Sequence, residues 1–252
     1  MPSNDKVFSG LVYLPKGQAS DNIIEGCIVL EGGAFRGVYG EGVLDALMEA
    51  GINMQTTIGT SAGALNGMNY VSGQIGRSAR INLEYRHDSR YVGTQALLSN
   101  KGVVGFDFAL NHDLPDDPFD IERFMDPKRR FIAVVTNLET GKAEYMEKGK
   151  CSDIMKAIQA SASMPVFSRA VEIDGVPYLD GGCADKIAFQ WALDQGFKKI
   201  VVVKTQPEEF RKEPMSEKEK KAFNAVFRNY PQFCEVFSRS NEQYNEQCDE
   251  IA

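Results

Sequence analysis

Histidine is almost missing from this chain: 252 residues contain only His87 and His112. A serine hydrolase built on a Ser–His–acid triad would have to take its base from that pair. In the α/β-hydrolase order the histidine follows the acid. No histidine lies beyond residue 112, so that order is impossible with Asp180 as the acid. His112 falls in a Pro- and Asp-rich loop, "NHDLPDDPFD", and His87 in an arginine-rich helical piece. Both are expected at the surface. Long hydrophobic runs are missing too. The longest, "FIAVV" and "IVVV", are far too short to span a bilayer, so any membrane contact is expected to be peripheral. The opening "MPSNDKVFSG" holds no apolar stretch of a secretory signal. The five cysteines form no C-x-x-C pair and their number is odd. A reduced, cytoplasmic setting follows, with contact at the inner membrane surface still open. Positive charge is also short: the net charge of −7 argues against a nucleic-acid partner. No ligand spacing for a metal is visible, and no cofactor is expected.

What is present is a chain with 43% hydrophobic and 25% charged residues, enough for one globular domain of generous size or two small ones. Residues 1–22 read as a polar lead-in. "CIVLEGG" reads as a buried strand entering a glycine turn. "RGVYGEGVLDALMEAG" follows as a helix, with Val38, Tyr39, Val43, Leu44, Leu47 and Met48 on one face and Gly51 at its stop. "NMQTTIG" is a second strand and "AGALNGMNYVSG" a helix of small residues. "RRFIAVVTNLETGKAEYME" reads as two strands about a turn. "CSDIMKAIQASASMP" reads as a helix ended by Pro165, and "VEIDGVPYLDGG" as a hairpin about Asp174-Gly175. "AFQWALDQG" is a short helix and "KKIVVVKTQ" a buried strand. Strands alternating with helices imply a mostly parallel sheet with right-handed crossovers. Residues 23–205 are taken as the catalytic domain and 206–252 as a C-terminal helical segment. In that segment Ser216 and Glu219 make a capping box. One apolar stripe runs Ala222, Phe223, Val226, Phe227, Tyr230; a second runs Phe233, Val236, Phe237, Tyr244, Cys248, Ile251. Packing onto the sheet and a lid or membrane-docking helix are both open to these stripes.

Three short motifs carry the chemistry. In "TTIGTSAGALNG" a serine, Ser61, stands between Gly59 and Gly63, after a strand and before a helix. A sharp strand-to-helix turn would present its hydroxyl at the helix N-terminus, with the glycines leaving room for the bend. The plain alternative is a helix N-cap. Asp180 ends the hairpin strand in "DGG", where a carboxylate could face a cleft; an ordinary Asp-Gly turn is the alternative. "EGGAFRG" (31–37) places successive backbone N–H groups where a strand opens into a helix. It does not match G-x-G-x-x-G, and no Gly-Lys-Ser/Thr follows. A nucleotide-phosphate site and an oxyanion hole are the two readings, with Arg36 neutralising nearby charge and tying the loop down.

"GGAFRG", "GTSAG" and "DGG", each after a strand and in this order, resemble the patatin-like phospholipases, and bacterial members in particular, over roughly Ile28 to Thr205. The resemblance implies a three-layer α/β/α fold and a Ser–Asp dyad instead of a triad. Ser61 matches the nucleophile and Asp180 the dyad acid. Gly32, Gly33, Ala34 and Arg36 match the oxyanion loop, and Gly59 and Gly63 flank the nucleophile elbow. One position departs: Ala34 stands where the family usually has glycine. Its presence leads to the expectation that φ is negative there, or that the hole relies on Gly32 and Gly33. The implied substrate is a lipid or lysophospholipid ester. An acyltransferase using the same dyad and a catalytically silent lipid-binding protein are the alternatives.

Overall fold

The computed structural model describes residues 10–91 and 117–252. In chain order these form β1 (Gly17–Gln18), β2 (Ile24–Leu30), α1 (Gly37–Glu49), β3 (Met54–Thr60), α2 (Ala62–Val71), β4 (Gln74–Ile75), α3 (Arg77–Tyr85), α4 (Ile121–Met125), β5 (Arg130–Asn137) and β6 (Ala143–Glu147). Then follow α5 (Ile154–Ser161), β7 (Val171–Ile173), β8 (Val176–Asp180), α6 (Phe189–Asp194), β9 (Ile200–Val203), α7 (Glu217–Val226), α8 (Pro231–Ser238) and α9 (Ser240–Ile251). The loop that holds His112 lies outside the described residues.

The main sheet has the order β7-β8-β5-β3-β2-β9, with β6 also on β5. Strands β5, β3, β2 and β9 are mutually parallel; β6, β8 and β7 join antiparallel. The apolar run of β5 is explained by burial on both faces. Phe131, Ala133 and Val135 face α2, α4 and α5. Ile132 and Val134 face α6 and α9, together with Tyr244 and Cys248. Helix α1 covers β2 through Leu44 and Met48. The result is a three-layer α/β/α arrangement.

The register around β5 brings two distant pieces of chain together. Along one edge β5 pairs with β6 over Ile132–Thr136. Its other edge carries β3 up to Thr60, opposite Val134. There the next residue, Val135, is opposite Asp180 of β8, which arrives from the other direction. The C-terminal ends of β3 and β8 therefore meet head to head on one edge.

Several elements differ from the sequence reading. The buried face of α1 is Gly37, Gly40, Glu41, Leu44, Asp45 and Met48. Tyr39 is 66% exposed, because the helix rolls its glycines onto α2 and turns that aromatic outward. Strand β9 is a sheet edge, not a buried strand: it pairs only with β2, and Val201 is exposed. Helix α5 stops at Ser161, short of Pro165. The second C-terminal stripe is two helices, broken at Arg239. Phe223, Phe233, Tyr244 and Cys248 of the stripes are buried, while Ala222 and Val226 face outward. The capping box of Ser216 and Glu219 is formed. No helix among the described residues is long and apolar enough to cross a membrane.

Phe233 is fully buried, against Phe223 and Phe227 at 5.6 and 5.1 Å between ring centres. Phe233→Ala should lower unfolding free energy by about 3–5 kcal/mol in urea titration. A loss below about 1 kcal/mol would mean that α7 and α8 are not part of the cooperative core.

Candidate active site

Strand β3 ends at Thr60, and Ser61 turns the chain into α2 with φ 58° and ψ −124°. A non-glycine residue in that region stores on the order of 1–3 kcal/mol. The turn is held from outside: the Ser61 N–H donates to Ser161 Oγ at 2.9 Å. Close packing then requires glycine on both sides. A Cβ on Gly59 would lie 2.4 Å from the Gly63 carbonyl oxygen, and one on Gly63 would lie 2.4 Å from that of Leu30. Helix α2 thus rests directly on strand backbone.

The Ser61 hydroxyl donates to Asp180 Oδ2 at 2.7 Å. The other carboxylate oxygen accepts from the Gly182 N–H at 2.8 Å. The Asp180 backbone is fixed as well, its N–H to Ser163 O at 2.9 Å and its carbonyl accepting from Thr136 Oγ1 at 2.8 Å. Asp180 is 6% exposed. Burial pushes its carboxyl up to about 6, against the opposing pull of the Ser61 and Gly182 hydrogen bonds and of Lys186 and Lys212.

The glycine loop leaves β2 and passes beside Ser61. A Cβ on Gly32 would lie 2.8 Å from that of Ser61, and one on Gly33 would lie 2.6 Å from Thr205 Oγ1. Among the described residues the N–H groups of Gly32, Gly33 and Ala34 donate to no other group. Ala34 overturns the first of the two alternatives stated above, a negative φ: its φ is +49°, in the left-handed region. Alanine is kept there because the turn into α1 demands that geometry, whatever its intrinsic cost. Arg36 is exposed, and among the described residues its guanidinium makes no hydrogen bond or ion pair. The loop is tied down instead by Thr205, just past β9. Its hydroxyl donates to Gly32 O at 2.9 Å, and its N–H donates to the buried Glu31 carboxylate.

These groups line a cavity of about 420 Å³ whose other walls come from Met164, Phe167, Phe237 and Asn241. Three cations look into it: Arg36, Lys186 and Lys212. Lys186 Nζ donates to the carbonyls of Gly182 and Ser240, at 2.7 and 2.9 Å. Burial and the nearby Lys212 lower it to about 8. A second cavity, about 190 Å³, shares Ala34, Ser61 and Met164 with the first and is lined beyond them by Phe35, Leu65 and Glu41. His87 is exposed beyond α3 and lines neither cavity.

Sequence reasoning missed Thr205, Lys186 and Lys212. For Thr205 a signal existed: it follows a parallel strand, and open α/β sheets place their sites at the carboxyl ends of strands. The two lysines belong to no motif and reach the cavity only through the tertiary fold.

Residues 28–102 match the family model described as patatin-like phospholipase. An uncharacterized Escherichia coli K12 protein, YjjU, is 29% identical over 185 residues, covering 71% of this chain and 52% of its own length. Lysophospholipase nte1 of Emericella nidulans is 26% identical over 170 residues, covering 64% of this chain but 10% of its own. This chain therefore spans about half the length of one relative and a small part of the other. VipD from Legionella pneumophila, a solved structure, is 18% identical with a TM-score of 0.47, over 67% of this chain and 47% of its own. That likeness is too loose to bear on function. The matched residues contain both the glycine loop and the serine turn, so the likeness to the patatin-like phospholipase model falls on the part of the chain that holds Ser61.

Proposed function

We propose that the protein is a lipid acyl hydrolase that cleaves carboxylic esters with Ser61 and Asp180. The 2.7 Å contact between the Ser61 hydroxyl and Asp180, at the meeting of two cavities, is the observation that carries this reading. As Ser61 Oγ bonds to the ester carbonyl carbon, its proton passes to Asp180 Oδ2. The carbonyl oxygen becomes an anion, held by the free N–H groups of Gly32, Gly33 and Ala34. Collapse breaks the bond to the leaving alcohol, which takes the proton from Asp180 and leaves a Ser61 acyl-enzyme. Water then gives a proton to Asp180 and attacks the acyl carbon. Ser61 Oγ departs as that proton returns to it, and the acid is released.

Aspartate is a weak base at its ordinary pKa of about 3.9. Burial that lifts Asp180 to about 6 brings it closer to the working range of a general base. The cationic wall of Arg36, Lys186 and Lys212 supports a phosphate-bearing lipid, such as a lysophospholipid. The exposed Phe35, Val166 and Phe167 near the mouth support contact with a lipid surface.

Ser61→Ala and Asp180→Asn should each abolish ester turnover, with the double variant no worse than either single, since the pair acts as one unit. Full turnover in either single variant would sink the assignment. His87→Gln should stay within about tenfold of wild type; a loss on the scale of triad damage, about 10⁴, would mean a histidine base.

The pH profile follows from Asp180 being needed as its anion, so kcat/KM should fall on acidification through about pH 6. Stability runs the other way. A carboxyl raised from 3.8 to about 6 by folding stabilises the protein while neutral, and that contribution is lost as pH rises through 6. Asp180→Asn should therefore be more stable than wild type at pH 8, by about 1–3 kcal/mol, with the gap closing toward pH 4 in thermal unfolding. Equal stability at both pH values would contradict a costly buried charge.

Ala34 has its own test. At a φ of +49° glycine relieves strain of about 1–2 kcal/mol while adding unfolded-state entropy worth about 0.4–1 kcal/mol. Ala34→Gly should leave stability unchanged or raise it slightly in thermal melts, with ester turnover within about threefold. A clear loss of stability would mean that the left-handed turn is not present in solution.

A further inference from the structure

Glu41 is a buried acid that the proposed chemistry does not use. It lies on the inner face of α1 and is 2% exposed. Its Oε1 accepts from Ser78 Oγ at 3.2 Å and from Asn82 Nδ2. Among the described residues its Oε2, which is buried, has no hydrogen-bond partner. An orphaned buried polar atom is costly, and one that persists calls for an explanation.

The position of Glu41 supplies one. It lines the 190 Å³ cavity that Ser61 also lines, with Phe35, Leu65 and Met164 as apolar walls between them. The polar neighbours there are already engaged. Asn66 Nδ2 donates to Gly37 O at 2.9 Å and its Oδ1 accepts from Ser78 at 2.9 Å; Asn82 Oδ1 accepts from the Tyr91 hydroxyl at 2.5 Å. Ser78 has one hydroxyl proton and two acceptors within reach, so Asn82 is the steady donor to Oε1 and neither residue supplies Oε2.

We propose that this cavity holds the acyl group of the Ser61 ester, and that Glu41 selects a short acyl chain carrying a hydroxyl at its far end. The inference rests on the Ser61 acyl-enzyme reading. A hydroxyl can donate to a carboxylate or accept from a carboxylic acid, so it pairs with Glu41 in either state. Burial raises Glu41 to about 7, so both states are populated near neutrality. A methyl end would leave Oε2 orphaned and shut off from water. The volume has room for about six water-sized groups, which suits a chain of about six carbons.

The test compares p-nitrophenyl hexanoate with p-nitrophenyl 6-hydroxyhexanoate. Wild type should favour the hydroxylated ester by at least about tenfold in kcat/KM. Glu41→Leu should bring the ratio to one or below, while Glu41→Gln, which keeps shape and hydrogen bonding, should hold it within about threefold of wild type. Should Glu41→Leu fail to fold, Leu65→Phe carries the location half of the test. By narrowing the cavity it should cut turnover of both six-carbon esters at least tenfold, while sparing p-nitrophenyl acetate. A wild-type ratio near one, or six-carbon turnover untouched by Leu65→Phe, overturns the inference. A fluorophosphonate probe separates the two levels. If it fails to label Ser61, the acyl-enzyme reading falls and this inference with it; if it labels Ser61 and the ratio is flat, only this inference falls.

Discussion

One edge of β5 is shared by two strands that run toward each other, and the site depends on that sharing. Thr60 is opposite Val134 and Asp180 is opposite the adjacent Val135. A hydroxyl and a carboxylate 119 residues apart in the chain are thereby held at 2.7 Å. Because β-pairing has a period of two, a one-residue slip of β8 would turn Asp180 to the other face of the sheet. Thr136 resists such a slip by bonding to the carbonyl of Asp180 itself. The separation of the two side chains is therefore set by the ladder and not by a flexible loop.

The same arrangement places charge where the fold least favours it. Asp180 is buried beneath the cavity, and Lys186 and Lys212 offset only part of the cost, as its raised titration point shows. The lysines are displaced in the opposite direction, both lowered by burial and by positive neighbours. Ser61 and Ala34 add backbone strain within the same small volume. Strain and buried charge gathered in one place are common where geometry serves chemistry before stability.

Much of this was legible in the sequence for physical reasons. The run "FIAVV" reads as a strand because a strand covered on both faces has no polar side. The Asp174-Gly175 hairpin was legible because its two positive φ values, 51° and 82°, suit those residue types. Gly59 and Gly63 announced a tight turn. What was hidden depended on tertiary context. The roll of α1 onto Glu41 and Asp45 runs against hydrophobic periodicity, since that face buries acids. The edge position of β9 cannot be seen from an apolar run alone, because strand order is a property of the sheet. Ala34 misled the reading because local preference argued for negative φ while the flanking strand and helix imposed the reverse. Thr205 and Lys212 reach the loop from far along the chain, where no spacing rule connects them.

The wall supplied by the C-terminal helices gives the site an order in time. Ser240 and Asn241 line the cavity, and the Ser240 carbonyl holds Lys186. Chains are made from the N-terminus at about 5–20 residues per second. The glycine loop and Ser61 therefore exist for several seconds before the residues that finish the cavity around them. A half-made chain already has the Ser61 hydroxyl but lacks the α8–α9 wall and the second anchor for Lys186. The cavity is closed only after α8 and α9 have been synthesised, far along the chain from the serine turn that it surrounds.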